Sequence, residues 1–171
     1  MGITSSHNEV IPVEKKELRL IPVTIDNYIN VIKLCVAPEQ EQFVGTPAEA
    51  MADKLFHPQF VMCAIEHVES NKLIGFLMYD PVSPKTNPVN NVALERFLLD
   101  CHFQGKGFGV KSLRLFVEHI RRAYPNADMI ELRTNTDNYA AIAVYRKVGF
   151  QITQLEGFPN VQKGLLFLKN T

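Results

Sequence analysis

Hydrophobic and polar residues follow patterns that predict strands and helices in a mixed order. Apolar side chains in Val110 to Tyr124 recur at intervals of three and four, which indicates an amphipathic helix. Short alternating or β-branched runs indicate strands. In chain order we predict a strand near 18–22, a helix capped by Thr24 or Asp26 that runs to Cys35, a loop over 37–46, a helix over 47–56, strands over 59–68, 72–79 and 92–100, a helix over 110–124, a strand over 129–133, a helix over 138–148 ended by Gly149, and strands over 151–155 and 163–168.

This order of elements predicts a single α/β domain. Strands that can pair as neighbours come first and β-α-β units follow, so we expect a mixed sheet with helices on both faces. Residues 1–16 are polar and lack periodicity, which predicts a flexible tail before one domain over 17–171. Prolines and asparagines between residues 81 and 91 predict an exposed connection.

Composition and charge narrow the classes of function. The chain has 171 residues, with 18 basic and 18 acidic side chains, so no strong field favours nucleic acid or an anionic membrane. No apolar run reaches the ~18 residues that span a bilayer, and no signal-peptide pattern opens the chain, so we expect a cytoplasmic protein. Met1 to Ser6 fits the loose N-myristoylation pattern, but an unmodified polar tail is the preferred interpretation.

The cysteines and histidines give weaker signals. Cys35, Cys63 and Cys101 are odd in number, widely separated and mostly within apolar stretches. This pattern predicts buried free thiols in a reducing compartment, not a disulfide framework or a zinc site. His102 adjoins a glycine-rich run and could border a pocket, although surface imidazoles are common.

That glycine-rich run, Gln104-Gly105-Lys106-Gly107-Phe108-Gly109, lies between a predicted strand and a predicted helix. Glycines allow a tight turn and close approach of a ligand to the backbone, and the helix start presents unpaired N–H groups. The run lacks both the Gly-Lys-Ser/Thr of a Walker A loop and the spacing of a dinucleotide fingerprint. Taken alone, it is compatible with a phosphate-binding turn or with a turn that binds nothing.

A second motif favours the phosphate-binding turn. Asn138 to Phe150 carries an asparagine, an alanine near the helix start, Tyr145 on the helix, and Gly-Phe opening a strand. Together with the glycine run, it resembles the GNAT N-acetyltransferase superfamily over about residues 18–168, although the N-terminal third matches only in element order. The resemblance implies a GNAT-like fold with a mostly antiparallel twisted central sheet, acetyl-CoA as cosubstrate, no metal, and acetyl transfer to an amine.

Acetyl transfer requires a proton donor for the departing thiolate and a way to deprotonate the amine. The resemblance implies that Tyr145 is the general acid, the alternative being an aromatic packing residue. Glu95 interrupts an otherwise apolar strand and is the candidate base, acting directly or through a water. The alternative for Glu95 is a salt bridge with Arg96 or Arg133.

The resemblance also implies the contacts to the cosubstrate. A bulged strand before the turn would pair with the pantetheine arm, and the amides of the turn would hold the diphosphate. Asn138 would bond the cosubstrate, cap its helix, or do both. The implied cofactor-binding set is Phe97, Leu98, Leu99, Gln104, Gly105, Lys106, Gly107, Phe108, Gly109, Val110, Asn138 and Tyr145.

For the acceptor, the resemblance is strongest to bacterial diamine and spermidine/spermine N-acetyltransferases. It rests on Gln42-Phe43-Val44, Glu49-Ala50, the run from Arg96 to Asp100, and the glycine run; the chain departs from them at Gly45-Thr46-Pro47 and in placing Glu95 beside Arg96. We therefore expect direct attack by a small primary amine, a polyamine first, in a ternary complex.

Acidic residues are weak candidates for binding such a polycation: Glu39, Glu41 and Glu49, with Asp53 near by. A solvated helix face explains most of these charges individually. Aminoglycosides, amino-acid amines, protein amines, a non-catalytic acyl-CoA-binding module and a homodimer all stay open, whereas no nucleic acid or membrane partner is expected.

Overall fold

The computed structural model describes residues 16–81 and 90–168. The residues that fit the N-myristoylation pattern, most of the predicted tail and most of the proline-rich connection lie outside them. The strands are β1 (Leu18–Pro22), β2 (Val61–His67), β3 (Lys72–Asp80), β4 (Asn91–Leu99), β5 (Met129–Asn135), β6 (Gln151–Gln154) and β7 (Val161–Phe167), and the α-helices are α1 (Tyr28–Ile32), α2 (Pro47–Phe56), α3 (Phe108–Ala123) and α4 (Tyr139–Val148). Short 3-10 turns span Pro38–Gln40 and Cys101–Phe103.

The described strands form one sheet in the order β1-β2-β3-β4-β5-β7-β6. The pair β4–β5 is parallel, and the other neighbouring strands are antiparallel. Because α3 lies between β4 and β5 in the chain, these three elements form a β-α-β unit. The predicted mixed, mostly antiparallel sheet is confirmed.

Each face of this sheet carries its own buried cluster. Successive residues of β3 alternate between the clusters: Leu77 and Tyr79 belong to one, and Phe76 and Met78 to the other. Helix α3 packs on the first cluster through a buried stripe, as its amphipathic pattern predicts, whereas α1 and α2 pack on the second. Helices therefore cover both faces, as predicted.

A β-bulge interrupts β4 in its second half. Met78 of β3 lies opposite Arg96, and the next residue, Tyr79, lies opposite Leu94, so Glu95 is the extra residue. The pairing of β4 with β5 ends at Leu94, whereas β5 stays paired with β7 to its last residue. The two parallel strands consequently separate after the bulge, and the opening between them lies beside the start of α3.

Helix α1 is shorter than predicted and begins later. Neither Thr24 nor Asp26 caps it; the N-cap position is Asn27, whose Oδ1 accepts a hydrogen bond from the Thr24 N–H at 2.8 Å. Within the helix only Val31 is buried, because the isoleucines that suggested a longer apolar face remain largely exposed. A five-residue helix with so little burial has few contacts to extend it. No helix among the described residues has the length and apolar character needed to cross a membrane.

Candidate active site

A cavity of about 720 Å³ opens where β4 and β5 separate. One wall comes from the segment that leads into α2, and another from the second half of β4 and the glycine turn. The remaining walls come from the end of β5, from α4 and from the β6–β7 hairpin. The lining residues are Val36, Gln40, Phe43, Val44, Gly45, Glu95, Arg96, Phe97, Leu98, Leu99, Gln104, Gly105, Gly107, Gly109, Val110, Arg133, Thr134, Asn135, Asn138, Ala140, Ala141, Val144, Tyr145, Lys147, Leu155, Phe158 and Val161.

The glycine turn requires glycine for its backbone conformation. Gly105 has φ of 71° and Gly107 has φ of 81°, in the left-handed region that other L-residues rarely adopt. A Cβ added at either position would meet no atom within 4 Å, so crowding is not the reason. Gly107 is the N-cap of the 16-residue α3, whose first N–H groups are unpaired within the helix. The turn therefore fits an anion such as a diphosphate.

Two residues of the implied cofactor-binding set do not line the cavity. The Nζ of Lys106 donates to the His102 carbonyl oxygen at 2.8 Å and lies 5.8 Å from the centre of the Phe103 ring. Phe108 packs edge-on against the rings of His67 and Phe103. These side chains stabilise the turn and the start of α3, so any contact they make to a diphosphate would come from their backbone.

Gln104 does line the cavity, but its side chain also fixes the turn. The Nε2 group donates to the Leu99 carbonyl oxygen at 2.9 Å and to Oε1 of Gln40 at 3.0 Å. The first bond holds the turn against the end of β4. The second ties it to the 3-10 turn Pro38–Gln40 on the opposite wall.

Helix α4 brings Asn138 and Tyr145 to the cavity. Asn138 caps the helix, with its Oδ1 accepting the Ala141 N–H at 3.3 Å, and it lines the cavity, so the two roles are compatible. Tyr145 is 8% exposed and packs edge-on against Phe150, with 5.9 Å between the centres of the two rings. Burial raises the pKa of Tyr145 to about 12, so the phenol keeps its proton at neutral pH. Gly149, with φ of 114°, ends this helix as predicted.

Glu95 lines the same cavity as Tyr145, and the bulge is what brings it there. It also borders a smaller hollow of about 80 Å³ together with Arg133, so the ion-pair alternative with Arg133 stays open. Arg96 instead donates from Nη2 to Oδ2 of Asp53 on α2 at 2.6 Å. Its guanidinium fills the space over Gly45, where an added Cβ would lie 2.0 Å from Nη1.

The structure does not bring the predicted acidic acceptor residues into the cavity wall. Oε2 of Glu49 accepts hydrogen bonds from the N–H of Thr46 at 2.6 Å and from its hydroxyl at 3.1 Å, forming the capping box of α2. Glu39 and Glu41 are exposed on either side of Gln40, which does line the cavity. Glu95 is the one carboxylate among the described lining residues.

Several lining residues were not among the binding or catalytic residues predicted from the sequence. Arg133, Thr134 and Asn135 lie at the carboxyl end of β5, and Leu155 and Phe158 come from the β6–β7 connection. The three residues of β5 could have been predicted, because ligands of α/β sheets bind at the carboxyl ends of parallel strands. The two residues of the β6–β7 connection could not, because no local sequence pattern indicates that this hairpin lies beside the glycine turn.

The three cysteines are free thiols, and the expectation that they are buried holds for Cys63 but is wrong for the other two. Cys35 is exposed and Cys101 is half-buried, and their sulphur atoms lie 3.0 Å apart. They are brought together because the segment after α1 runs beside the end of β4. His102 does not line the cavity; its Nδ1 lies 2.7 Å from Oδ1 of Asp100.

Comparisons with known proteins show the family to which this chain belongs. The sequence model of the Acetyltransferase (GNAT) family matches residues 29–150. A probable spermine N(1)-acetyltransferase of Bacillus subtilis subsp. natto is 30% identical over 131 residues, 75% of this chain and 84% of that protein. The chain therefore belongs to the GNAT family, and it is an acetyl-CoA-dependent N-acetyltransferase.

Solved structures share the fold at low identity. The GNAT domain of S. lividans PAT superposes with a TM-score of 0.69 at 18% identity, over 88% of this chain and 90% of that chain. A spermidine N-acetyltransferase from Vibrio cholerae, solved with CoA and spermine, gives a TM-score of 0.64 at 15% identity, over 89% and 96% of the respective chains. At such identities these structures establish the fold alone.

The backbone of the glycine turn gives a first testable prediction. Gly107→Ala forces an L-residue into the left-handed region, which costs about 1–2 kcal/mol, so the turn will relax and redirect its amides. We expect CoA binding to weaken by about 10-fold, as measured by titration calorimetry. Gly107→Asn is the control, because asparagine tolerates this conformation. Unchanged CoA affinity in Gly107→Ala would show that the turn does not hold the cosubstrate.

Proposed function

We propose that this N-acetyltransferase transfers the acetyl group of acetyl-CoA to a primary amine of a polyamine, by direct attack within a ternary complex. The observation that carries the proposal is the convergence of three features on one cavity. The glycine turn, the buried phenol of Tyr145 and the bulge carboxylate of Glu95 all line it. Each supplies a different requirement of the reaction.

The cosubstrate side rests on backbone groups. The turn and the start of α3 would hold the diphosphate through N–H groups, with no side-chain charge required. Residues Phe97 to Leu99 pair with β3 on one side, and β5 does not pair with them on the other. Their second edge therefore suits an extended pantetheine arm that adds like a strand. Asn138 would bond the amides of that arm.

Tyr145 would act as the proton donor to the thiolate. A phenol whose pKa is raised to about 12 by burial is fully protonated across the physiological range. It can hydrogen-bond a departing sulphur and pass its proton as negative charge develops there. The same enclosure keeps bulk water away from the group that donates.

Glu95 would receive the proton of the amine. An alkyl ammonium has a pKa of about 10.4, so forming the neutral amine at pH 7 costs about 4–5 kcal/mol. A carboxylate in the cavity, acting directly or through one water, offsets part of that cost. Glu95 suits this role since it is the one carboxylate among the described lining residues.

The acceptor class rests on the Bacillus relative, named as a probable spermine N(1)-acetyltransferase, and on charge outside the cavity. Glu39 and Glu41 are exposed on both sides of the lining residue Gln40. A polyamine that places one amine inside would extend its other ammonium groups towards this rim. Glu49 already accepts a hydrogen bond from Thr46, so it would contribute negative electrostatic potential and not a direct contact with the polyamine.

The assay that tests the proposal is release of free CoA thiol with a panel of acceptors. Spermine, spermidine and short diamines should give the highest kcat/KM. One of their amines can enter the cavity while the remaining ammonium groups lie near the exposed carboxylates at its rim. An aminoglycoside, a lysine peptide and a peptide with a free N-terminus are the comparisons. Saturable CoA binding without turnover on any amine would instead identify a non-catalytic binding module, and preference for another acceptor would reassign the substrate.

Tyr145→Phe tests the proton donor. The phenyl ring preserves packing against Phe150, so CoA affinity should change little while kcat falls by about 10²–10⁴-fold. Because the pKa of Tyr145 lies near 12, wild-type activity should show no loss below about pH 10 that is due to this phenol. Tyr139→Phe is the control, on the same helix but 75% exposed. An undiminished kcat in Tyr145→Phe would remove the assigned role.

Glu95→Gln tests the proton acceptor with an almost isosteric side chain. We expect kcat to fall by at least about 10²-fold at neutral pH and to recover partly at high pH, where more amine is already neutral. Glu69→Gln, in the exposed β2–β3 turn, is the matched control. If the pH profile of Glu95→Gln has the wild-type shape, Glu95 is an ion-pair partner and not the base.

A further inference from the structure

Four potential metal ligands gather beside the cavity, outside the acetyl-transfer site. Asp100, Cys101 and His102 follow β4 directly, and Cys35 comes from the segment after α1. One ligand atom from each of the four lies within 4.8 Å of all the others. From this cluster we propose a binding site for a thiophilic divalent cation, zinc first, which the acetyl-transfer chemistry does not use.

The separations suit a small tetrahedral site. With metal–sulphur bonds of ~2.3 Å and metal–nitrogen or metal–oxygen bonds of ~2.1 Å, a regular tetrahedron puts sulphur about 3.6 Å from nitrogen or oxygen. The Sγ of Cys35 lies 3.8 Å from Oδ2 of Asp100, and the Sγ of Cys101 lies 3.5 Å from Nδ1 of His102. Those two edges are already near the required length.

Two further contacts are shorter than such a site allows. The sulphurs are 3.0 Å apart, and a regular site would separate them by about 3.8 Å. Nδ1 of His102 lies 2.7 Å from Oδ1 of Asp100, whereas Cys35 contacts Oδ2, so the imidazole must turn away from Oδ1 to share an ion with Oδ2. Both shifts need only side-chain rotation, and the two groups that would rotate have room: Cys35 is exposed, and the His102 side chain is 78% exposed.

Hydrogen bonds from backbone N–H groups hold the four potential ligands near one another. The Cys101 N–H donates to the Cys35 carbonyl oxygen at 2.7 Å, which holds the two segments in register. The buried carboxylate of Asp100 accepts the N–H groups of Cys35 at 3.3 Å and His102 at 3.0 Å. Such bonds to a ligating carboxylate are typical supports of a metal site. Two of the four donors are sulphur, which favours zinc over magnesium or calcium.

A disulfide between the two cysteines is the competing use of the 3.0 Å contact. It would use only the two sulphurs, and the Asp100 carboxylate and the His102 imidazole would keep their contact with each other. Metal binding uses all four groups, and the two thiols lose their protons as the cation enters. The bound ion would join the segment leading to Val36 and Gln40 to the one leading to Gln104, which are opposite walls of the cavity.

The test uses untagged full-length protein, stripped with a chelator, reduced with a phosphine and desalted. Titration with Co²⁺ should give thiolate-to-cobalt charge-transfer bands and intense visible bands of tetrahedral geometry, saturating at one ion per chain. Zn²⁺ should displace it and raise Tm. Cys35→Ser and Cys101→Ser should each abolish the charge-transfer signal or halve it, with Zn²⁺ no longer raising Tm.

Two further variants distinguish a four-ligand site from metal capture by exposed thiols alone. His102→Ala should weaken Zn²⁺ binding by more than about 10-fold, since even losing a group that merely orients a ligand costs that much. Cys63→Ala, which removes the third thiol, should bind as wild type does. The proposal is overturned if the reduced wild type gives no thiolate–cobalt bands, or if the Cys35→Ser/Cys101→Ser double variant binds equally well. Isolation of an intramolecular disulfide, together with absent metal binding after reduction, would assign a redox pair instead.

Discussion

The site depends on one break in main-chain pairing. At Glu95 the bulge shifts the register of β4 against β3, and after Leu94 the strand no longer pairs with β5. A fully paired sheet would close this region with interstrand hydrogen bonds and leave no passage. The sheet instead stays continuous on both sides of the gap, through β3 and through β5–β7, so the opening is narrow and held by rigid strands.

The two helices beside the gap complete it from the same side of the sheet. Helix α3 follows β4 and begins at the glycine turn, while α4 follows β5 and carries Tyr145. The chain order alone therefore puts the proposed anion-binding end and the proposed proton donor at adjacent strand ends. The Gln104 amide, bonded to both Leu99 and Gln40, links this arrangement to the opposite wall of the cavity. The two walls of the cavity therefore come from different elements that a side-chain hydrogen bond joins.

The sequence carried most of the fold but only part of the site. The hydrophobic periodicity and the turn residues located the described strands and α-helices to within a few residues, except that α1 begins later and ends earlier than predicted. Val110 to Tyr124 and the glycines give strong local signals of this kind. The register of β4 and the meeting of Cys35 with Cys101 depend on pairing between distant segments, which local patterns do not encode. Glu49 carried its own signal, the Thr-x-x-Glu capping box, yet its charge suggested substrate binding.

The chain departs from the polyamine acetyltransferase pattern at Gly45 and at Arg96, and these two residues contact each other in the structure. Gly45 has no side chain at the point where the guanidinium of Arg96 lies, and Arg96 reaches past it to Asp53. A side chain at 45 would require the guanidinium of Arg96 to move aside, away from its contact with Asp53. A shorter group at 96 would instead remove that contact and part of the cavity wall. Positions 45 and 96 should consequently covary among relatives, because the two residues together shape this part of the cavity wall.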